Sequence, residues 1–165
     1  MTNSPTGREQ SELPIGSPRS GALPAFGAAQ GHGLPGLFVV FEGGEGVGKS
    51  TQISRLIAHI QSTHPHRQVL QSREPGGTPA AEALRRIALD PEFEGLAARA
   101  EALVFAAARS DHADRVIRPA LAAGALVVLD RYIDSSVVYQ GIARGLGAED
   151  VEALSTWATE GLAPD

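Results

Sequence analysis

Leu37 to Ser50 reads LFVVFEGGEGVGKS, and the order of its parts decides the fold. Leu37 to Glu42 (LFVVFE) is a short apolar run closed by glycines, the form of a buried strand. Gly43, Gly44, Glu45, Gly46, Val47, Gly48, Lys49 and Ser50 satisfy G-x-x-x-x-G-K-[ST]. Ile53, Leu56, Ile57 and Ile60 then recur at i, i+3, i+4 and i+7, which predicts a helix from about Gly48 to Ser62 with one buried face. A glycine-rich turn that merely packs a helix on a sheet is the plain alternative. The complete motif between a strand and an amphipathic helix favours a phosphate loop, in which backbone amides turn inward around phosphate oxygens and the helix N-terminus adds partial positive charge. Lys49 is then expected to reach β- and γ-phosphates, and Ser50 to ligate magnesium.

Outward from this loop the chain alternates short apolar runs with helical periodicity, the sequence form of an α/β fold with a parallel sheet flanked by helices. A second strand is expected around Gln68 to Ser72, then a Pro-Gly-Gly turn and a helix near Ala81 to Leu89. Ala97 to Ala108 is apolar on nearly every side, which predicts a helix buried deep in the body. Pro119 should kink or divide its continuation, and Gly124 should stop it. Ala125 to Asp130 (ALVVLD) reads as a third buried strand ending in a carboxylate, with helices beyond it around Ser135 to Ile142 and Ala148 to Glu160. Asp130 at a strand end suits a magnesium site. An Asp-Arg pair alone is as readily a solvated ion pair or a cap, and the upstream loop tips that balance.

With 165 residues the chain has the length of one domain. Its 14 basic and 19 acidic residues give a net charge of -5, which disfavours a nucleic-acid polymer as partner. The absence of cysteine removes disulfides, thiolate nucleophiles and cysteine-ligated metals. No apolar run approaches the roughly 18 residues of a membrane span, so a soluble, cytoplasmic protein without membrane partners is expected. Residues 1–36 hold 7 glycines and 5 prolines. They read as a disordered extension or as upstream sequence wrongly assigned to the protein, ahead of a domain at 37–165.

Five segments resemble the thymidylate kinases, which transfer the γ-phosphoryl group of ATP to dTMP. They are FEGGEGVGKST (Phe41 to Thr51), REPGGT (Arg73 to Thr78), FAAARSDH (Phe105 to His112), IRPAL (Ile117 to Leu121) and DRYIDSSVVYQG (Asp130 to Gly141), in the family's order and at about its spacings. The resemblance implies a P-loop NTPase three-layer fold with a parallel sheet. It also implies that Gly43 to Thr51 hold ATP phosphates, with Ser50 and Asp130 toward Mg2+, and that Lys49, Arg73 and Arg131 are catalytic, the two arginines binding the acceptor phosphate. Glu45 would approach the sugar 3'-hydroxyl, Phe105 stack on thymine, and Arg109 hydrogen-bond the base. Ser136 and Gln140 would touch the base, and Tyr139 would crowd a ribose 2'-hydroxyl. Taken singly these residues have plainer readings: Phe105 and Tyr139 as core, Arg109 as a surface or ion-paired residue, Glu45 as an exposed loop acid. Their joint occurrence reverses those defaults. Trp157 and His112 read as structural.

No general base is required, because a phosphate monoester with a second pKa of about 6 is mostly a dianion at neutral pH. The task reduces to aligning two anions and neutralising the transferred group. Against the family pattern, the last strands and the mobile lid are expected to be missing after Asp165, and with Glu45 in the loop no cation replaces the lid arginines. The alternative to a dTMP kinase is therefore a truncated nucleotide-binding fragment or inactive remnant. The resemblance further implies homodimers.

Overall fold

The computed structural model describes residues 32–165, so the expectation for the Gly/Pro-rich extension falls almost entirely outside the described residues. Strands β1 (Leu37–Phe41), β2 (Val69–Arg73) and β3 (Leu126–Asp130) form one parallel sheet in the order β1-β3-β2. The central strand explains its own apolar run: Leu126, Val127, Val128 and Leu129 are all buried because both faces of the sheet are covered. On one face Leu126 and Val128 meet Ile53, Leu56, Ile57 and Ile60 of helix α1 (Lys49–Thr63). On the other, Val127 and Leu129 pack with Phe38, Ile117, Leu121, Tyr132 and Leu162. Helix, sheet and helix make the three layers.

The remaining helices are α2 (Pro79–Leu89), α3 (Ala98–His112), α4 (Arg118–Ala122), α5 (Ile133–Ser136) and α6 (Ala148–Ala158). Thr78 caps α2 by accepting from the Ala81 amide at 2.9 Å, and Pro79 comes next, at the one place where a missing amide hydrogen costs nothing. Helix α3 is less enclosed than its composition predicts. Ala102, Ala106 and Ala108 are buried, but Leu103 is 57% exposed, because α3 contributes a wall and not a centre to the domain. Pro119 acts as expected, by an unexpected device. A π-helical segment, Ala113–Ile117, joins α3 to α4 and places the proline in the first turn of α4. A second such segment, Val137–Ala143, comes after α5, where sequence periodicity predicts a plain helix. Gly124 stops α4 with φ 81°. None of the helices among the described residues is long and apolar enough to cross a membrane.

Tyr132 ties the layers together. Its ring meets Phe38 edge-on at 5.2 Å and its hydroxyl donates to the Leu162 carbonyl at 3.0 Å. Burial, helped by the nearby Glu74 charge, pushes the phenol up to about 12. An unfolded tyrosine titrates near 10. Between these values the unfolded chain binds fewer protons than the folded one, so stability falls as pH rises. Denaturant melts across this window should lose about 2–3 kcal/mol, and Tyr132→Phe should flatten that alkaline limb. An equally steep limb in the variant would place the titrating group elsewhere.

Candidate active site

All three strands end at one edge, and the residues just beyond each strand end carry the candidate chemistry. Phe41 and Arg73 both align with Asp130 across the sheet, so the loop after β1, the REPGGT turn after β2 and the Asp-Arg pair after β3 start side by side. The turn after β1 needs its glycines. Gly43, Gly46 and Gly48 have φ of 144°, 74° and 97°, and Gly48 is the N-cap of α1, whose first turn holds no acidic residue. Lys49 folds back over this loop, its Nζ donating to the carbonyls of Gly43 (3.0 Å) and Gly44 (2.8 Å) and standing 3.8 Å from Asp130 Oδ1. That carboxylate oxygen is buried without a hydrogen-bond partner. An orphaned hard oxygen 3.8 Å from the loop's Lys49 fits magnesium, which takes few protein ligands and keeps waters and substrate phosphates. Among the described residues no cluster of three acidic or histidine side chains offers another metal site.

Beside the loop lies a cavity of about 740 Å³, and every residue expected to contact the acceptor lines it: Glu45, Arg73, Phe105, Arg109, Arg131, Ser136, Tyr139 and Gln140. Asp130 and Glu45 are the expected loop-side residues that reach it, whereas Gly43, Gly44, Gly46, Val47, Gly48, Lys49, Ser50 and Thr51 are not part of its wall. Five arginines and four carboxylates line the cavity, a cationic balance in a chain of net charge -5.

The arginines are held differently. Arg73 is largely exposed, and its Nη2 alone donates to both carboxylate oxygens of Glu82, at 2.9 and 3.1 Å. Glu82 also accepts from the Gly77 amide, which together with Arg73 and Arg85 holds its carboxyl below the usual range. Arg131 has φ 71°, a left-handed conformation that a side chain adopts at a cost of about 1–2 kcal/mol. Three contacts hold it: its amide donates to the Phe41 carbonyl (2.9 Å), Nη1 donates to Ser135 Oγ (3.0 Å), and its guanidinium lies 5.4 Å over the Tyr139 ring. Ser135 Oγ in turn donates to Glu42 Oε2 at 2.6 Å, and Glu42 Oε1 accepts from the Tyr132 amide at 2.6 Å.

Arg109 is 2% exposed, far from the surface position its type predicts. Burial pulls its pKa below the ordinary value, while the charges of Glu74 and Glu42 act in the other direction. Nη1 donates to Ser155 Oγ (3.0 Å) and Nη2 to Ser136 Oγ (2.5 Å). Ser136 and Gln140 are themselves buried, and Gln140 Nε2 donates to Glu101, which also accepts from Arg144 Nε at 3.0 Å. Burial raises the Glu101 carboxyl, yet these bonds leave it below its usual value.

Sequence reasoning passed over Glu42, Glu74, Glu101, Ser135 and Arg144, and left His112 as structural. For His112 a signal existed: Phe105, Arg109 and His112 stand at i, i+4 and i+7, one face of α3. Trp157, also read as structural, is 79% exposed.

Residues 41–165 match the sequence model of the family described as Thymidylate kinase. The chain is 51% identical over 132 residues to a thymidylate kinase of Rhizorhabdus wittichii, a match covering 80% of this chain and 62% of that protein. It is 48% identical over 129 residues to one from Symbiobacterium thermophilum, covering 78% and 59%. The crystal structure of thymidylate kinase from Ehrlichia chaffeensis aligns with a TM-score of 0.72 at 33% identity, over 79% of this chain and 71% of that one. The chain spans about three-fifths of the length of the curated relatives it matches.

Proposed function

The chain belongs to the thymidylate kinase family, and on that premise we propose that it transfers the γ-phosphoryl group of ATP to dTMP, giving dTDP and ADP. The observation that carries this reading is one cavity, arginine-rich and lined by all eight expected acceptor residues, opening beside the loop that holds Lys49. Arg73 and Arg131 bind the acceptor phosphate at the loop end of the cavity. Arg109 reads the base from its floor, with Phe105 on the ring. Glu45 stands at the seam, where the deoxyribose lies between base and phosphate. The acceptor is already a dianion at neutral pH, so these side chains align and neutralise instead of abstracting a proton. Ser50 and Asp130 would hold magnesium, which when bound neutralises charge on the transferred group.

The same reading places the protein in the cytoplasm and pairs two copies through helices. Support for pairing comes from α3 and α6, which pack together while leaving Leu103 and Trp157 in solvent.

Coupled ADP release with ATP and magnesium tests the activity, using dTMP and its ribose analogue as acceptors. Release should depend on dTMP, with the ribonucleotide poorer. Tyr139→Ala should improve relative use of the ribonucleotide about tenfold, the scale of a lost steric contact, while Tyr139→Phe leaves it unchanged. ADP release indifferent to dTMP would overturn the acceptor. Binding of dTMP without any turnover would overturn the transfer and leave nucleotide binding as the chain's role.

A further inference from the structure

From Glu74 on the cavity wall a chain of polar groups runs inward, and phosphoryl transfer does not use it. Ser72 Oγ meets His112 Nε2 at 2.9 Å, and His112 Nδ1 meets Glu74 Oε1 at 2.5 Å. The other carboxylate oxygen, Glu74 Oε2, faces Arg109 Nε at 3.9 Å, and both atoms are buried without a hydrogen-bond partner. Glu74 is 5% exposed and His112 0%. A carboxylate and a guanidinium facing each other away from water attract with little screening. Such a pair is poor evidence of stabilisation, because desolvating both charges offsets the attraction. It does fix where the guanidinium lies.

A guanidinium has five donor hydrogens and no acceptor. One each on Nη1 and Nη2 go to Ser155 and Ser136, and the Nε hydrogen faces Glu74. One hydrogen on each terminal nitrogen stays uncommitted, on a side chain that lines the cavity. A donor-only group suits the carbonyl that thymine presents at position 4 and opposes the amino group that cytosine presents there. Ser72, Arg73 and Glu74 are consecutive at the end of β2. The residues flanking the proposed phosphate-binding Arg73 therefore hold the group that anchors Arg109.

We propose that Ser72, His112 and Glu74 form a positioning device for Arg109, holding its free donors where they read the 4-carbonyl of the base and so setting the preference for thymine over cytosine. This device rests on the dTMP reading; Ser72 and His112 lie outside the cavity wall, and Glu74, which forms part of that wall, acts through Arg109.

Calorimetric titration of the 165-residue chain with dTMP and with dCMP tests it, in parent, Glu74→Gln and Ser72→Ala. Glu74→Gln keeps the side chain's size but removes the charge facing Arg109. The dTMP-to-dCMP affinity ratio should fall about tenfold, the scale of one base-edge contact, with dCMP binding nearly unchanged. Ser72→Ala, two contacts further from Arg109 than Glu74 and outside the cavity wall, should lower the ratio about threefold and decides the matter if Glu74→Gln does not fold. Equal weakening of both nucleotides, or an unchanged ratio in the folded variants, overturns the inference and leaves the network a purely structural role. A parent chain that binds neither nucleotide removes the dTMP reading first, and this inference with it.

Discussion

Lys49→Ala is expected to lower phosphoryl transfer by about 10³-fold, the upper range for losing one preorganised charge at a reacting group, while leaving the fold intact. The two effects separate because of where the ammonium sits. Its partners in the structure are the Gly43 and Gly44 carbonyls, which water can satisfy once the side chain is gone, since the loop is exposed. The 3.8 Å approach to Asp130 makes no hydrogen bond, so Oδ1 is already unpartnered before the substitution, and with the Asp130 side chain 27% exposed the lost attraction costs about 1 kcal/mol. The variant should therefore melt within a few degrees of the parent. Steady-state ADP release and a thermal melt on the same preparation check both halves. Activity within about threefold of the parent would remove Lys49 from the transfer step.

Gly77→Ala should produce the largest loss of stability of any single methyl group added near the site, about 3 kcal/mol or more. Gly77 has φ +88°, so any side chain there strains the backbone, and a Cβ would overlap the His112 ring, with Cε1 only 2.7 Å away. That ring cannot swing aside without leaving Ser72 and Glu74. Gly46→Ala is the matched control, because φ is +74° but nothing lies within 4 Å of the added carbon; only the conformational cost of about 1–2 kcal/mol remains. Thermal melts should show a drop for Gly77→Ala clearly exceeding that of the control. Equal drops would mean that the His112 ring is not pinned.

The contrast between these glycines marks what was legible in sequence. The strand, loop and helix around Gly43 to Ser50 could be read because each depends on residues close in the chain: β-branched runs, glycines for tight turns, apolar side chains every third and fourth position. Asp130 was legible by the same token, at the end of an apolar run. The eight acceptor residues came only from the resemblance, since no spacing rule brings Glu45, Arg109 and Gln140 into one cavity. The two π segments were hidden because they are only 5 and 7 residues long, too short for apolar periodicity to register the phase shift that a wide turn introduces. Burial of Arg109 was hidden for a different reason. A charged side chain is expected in water, and the groups that permit its burial, Glu74, Ser136 and Ser155, lie 35, 27 and 46 positions away.

The π segment Val137–Ala143 has a consequence for how the chain tolerates changes of length. It carries Tyr139, Gln140 and Ala143 on the cavity wall, with Arg144 just beyond. A wide turn has one residue more than an α-helical turn, so deleting a single residue here would restore ordinary helical bonding and strengthen the helix. It would also re-aim the residues of the wide turn itself, because one position of register is about 100° around an α-helix, so Tyr139, Gln140 and Ala143 could not all keep their places on the wall. Here the residue count itself is a functional property: shortening the segment would give a better helix and a worse cavity.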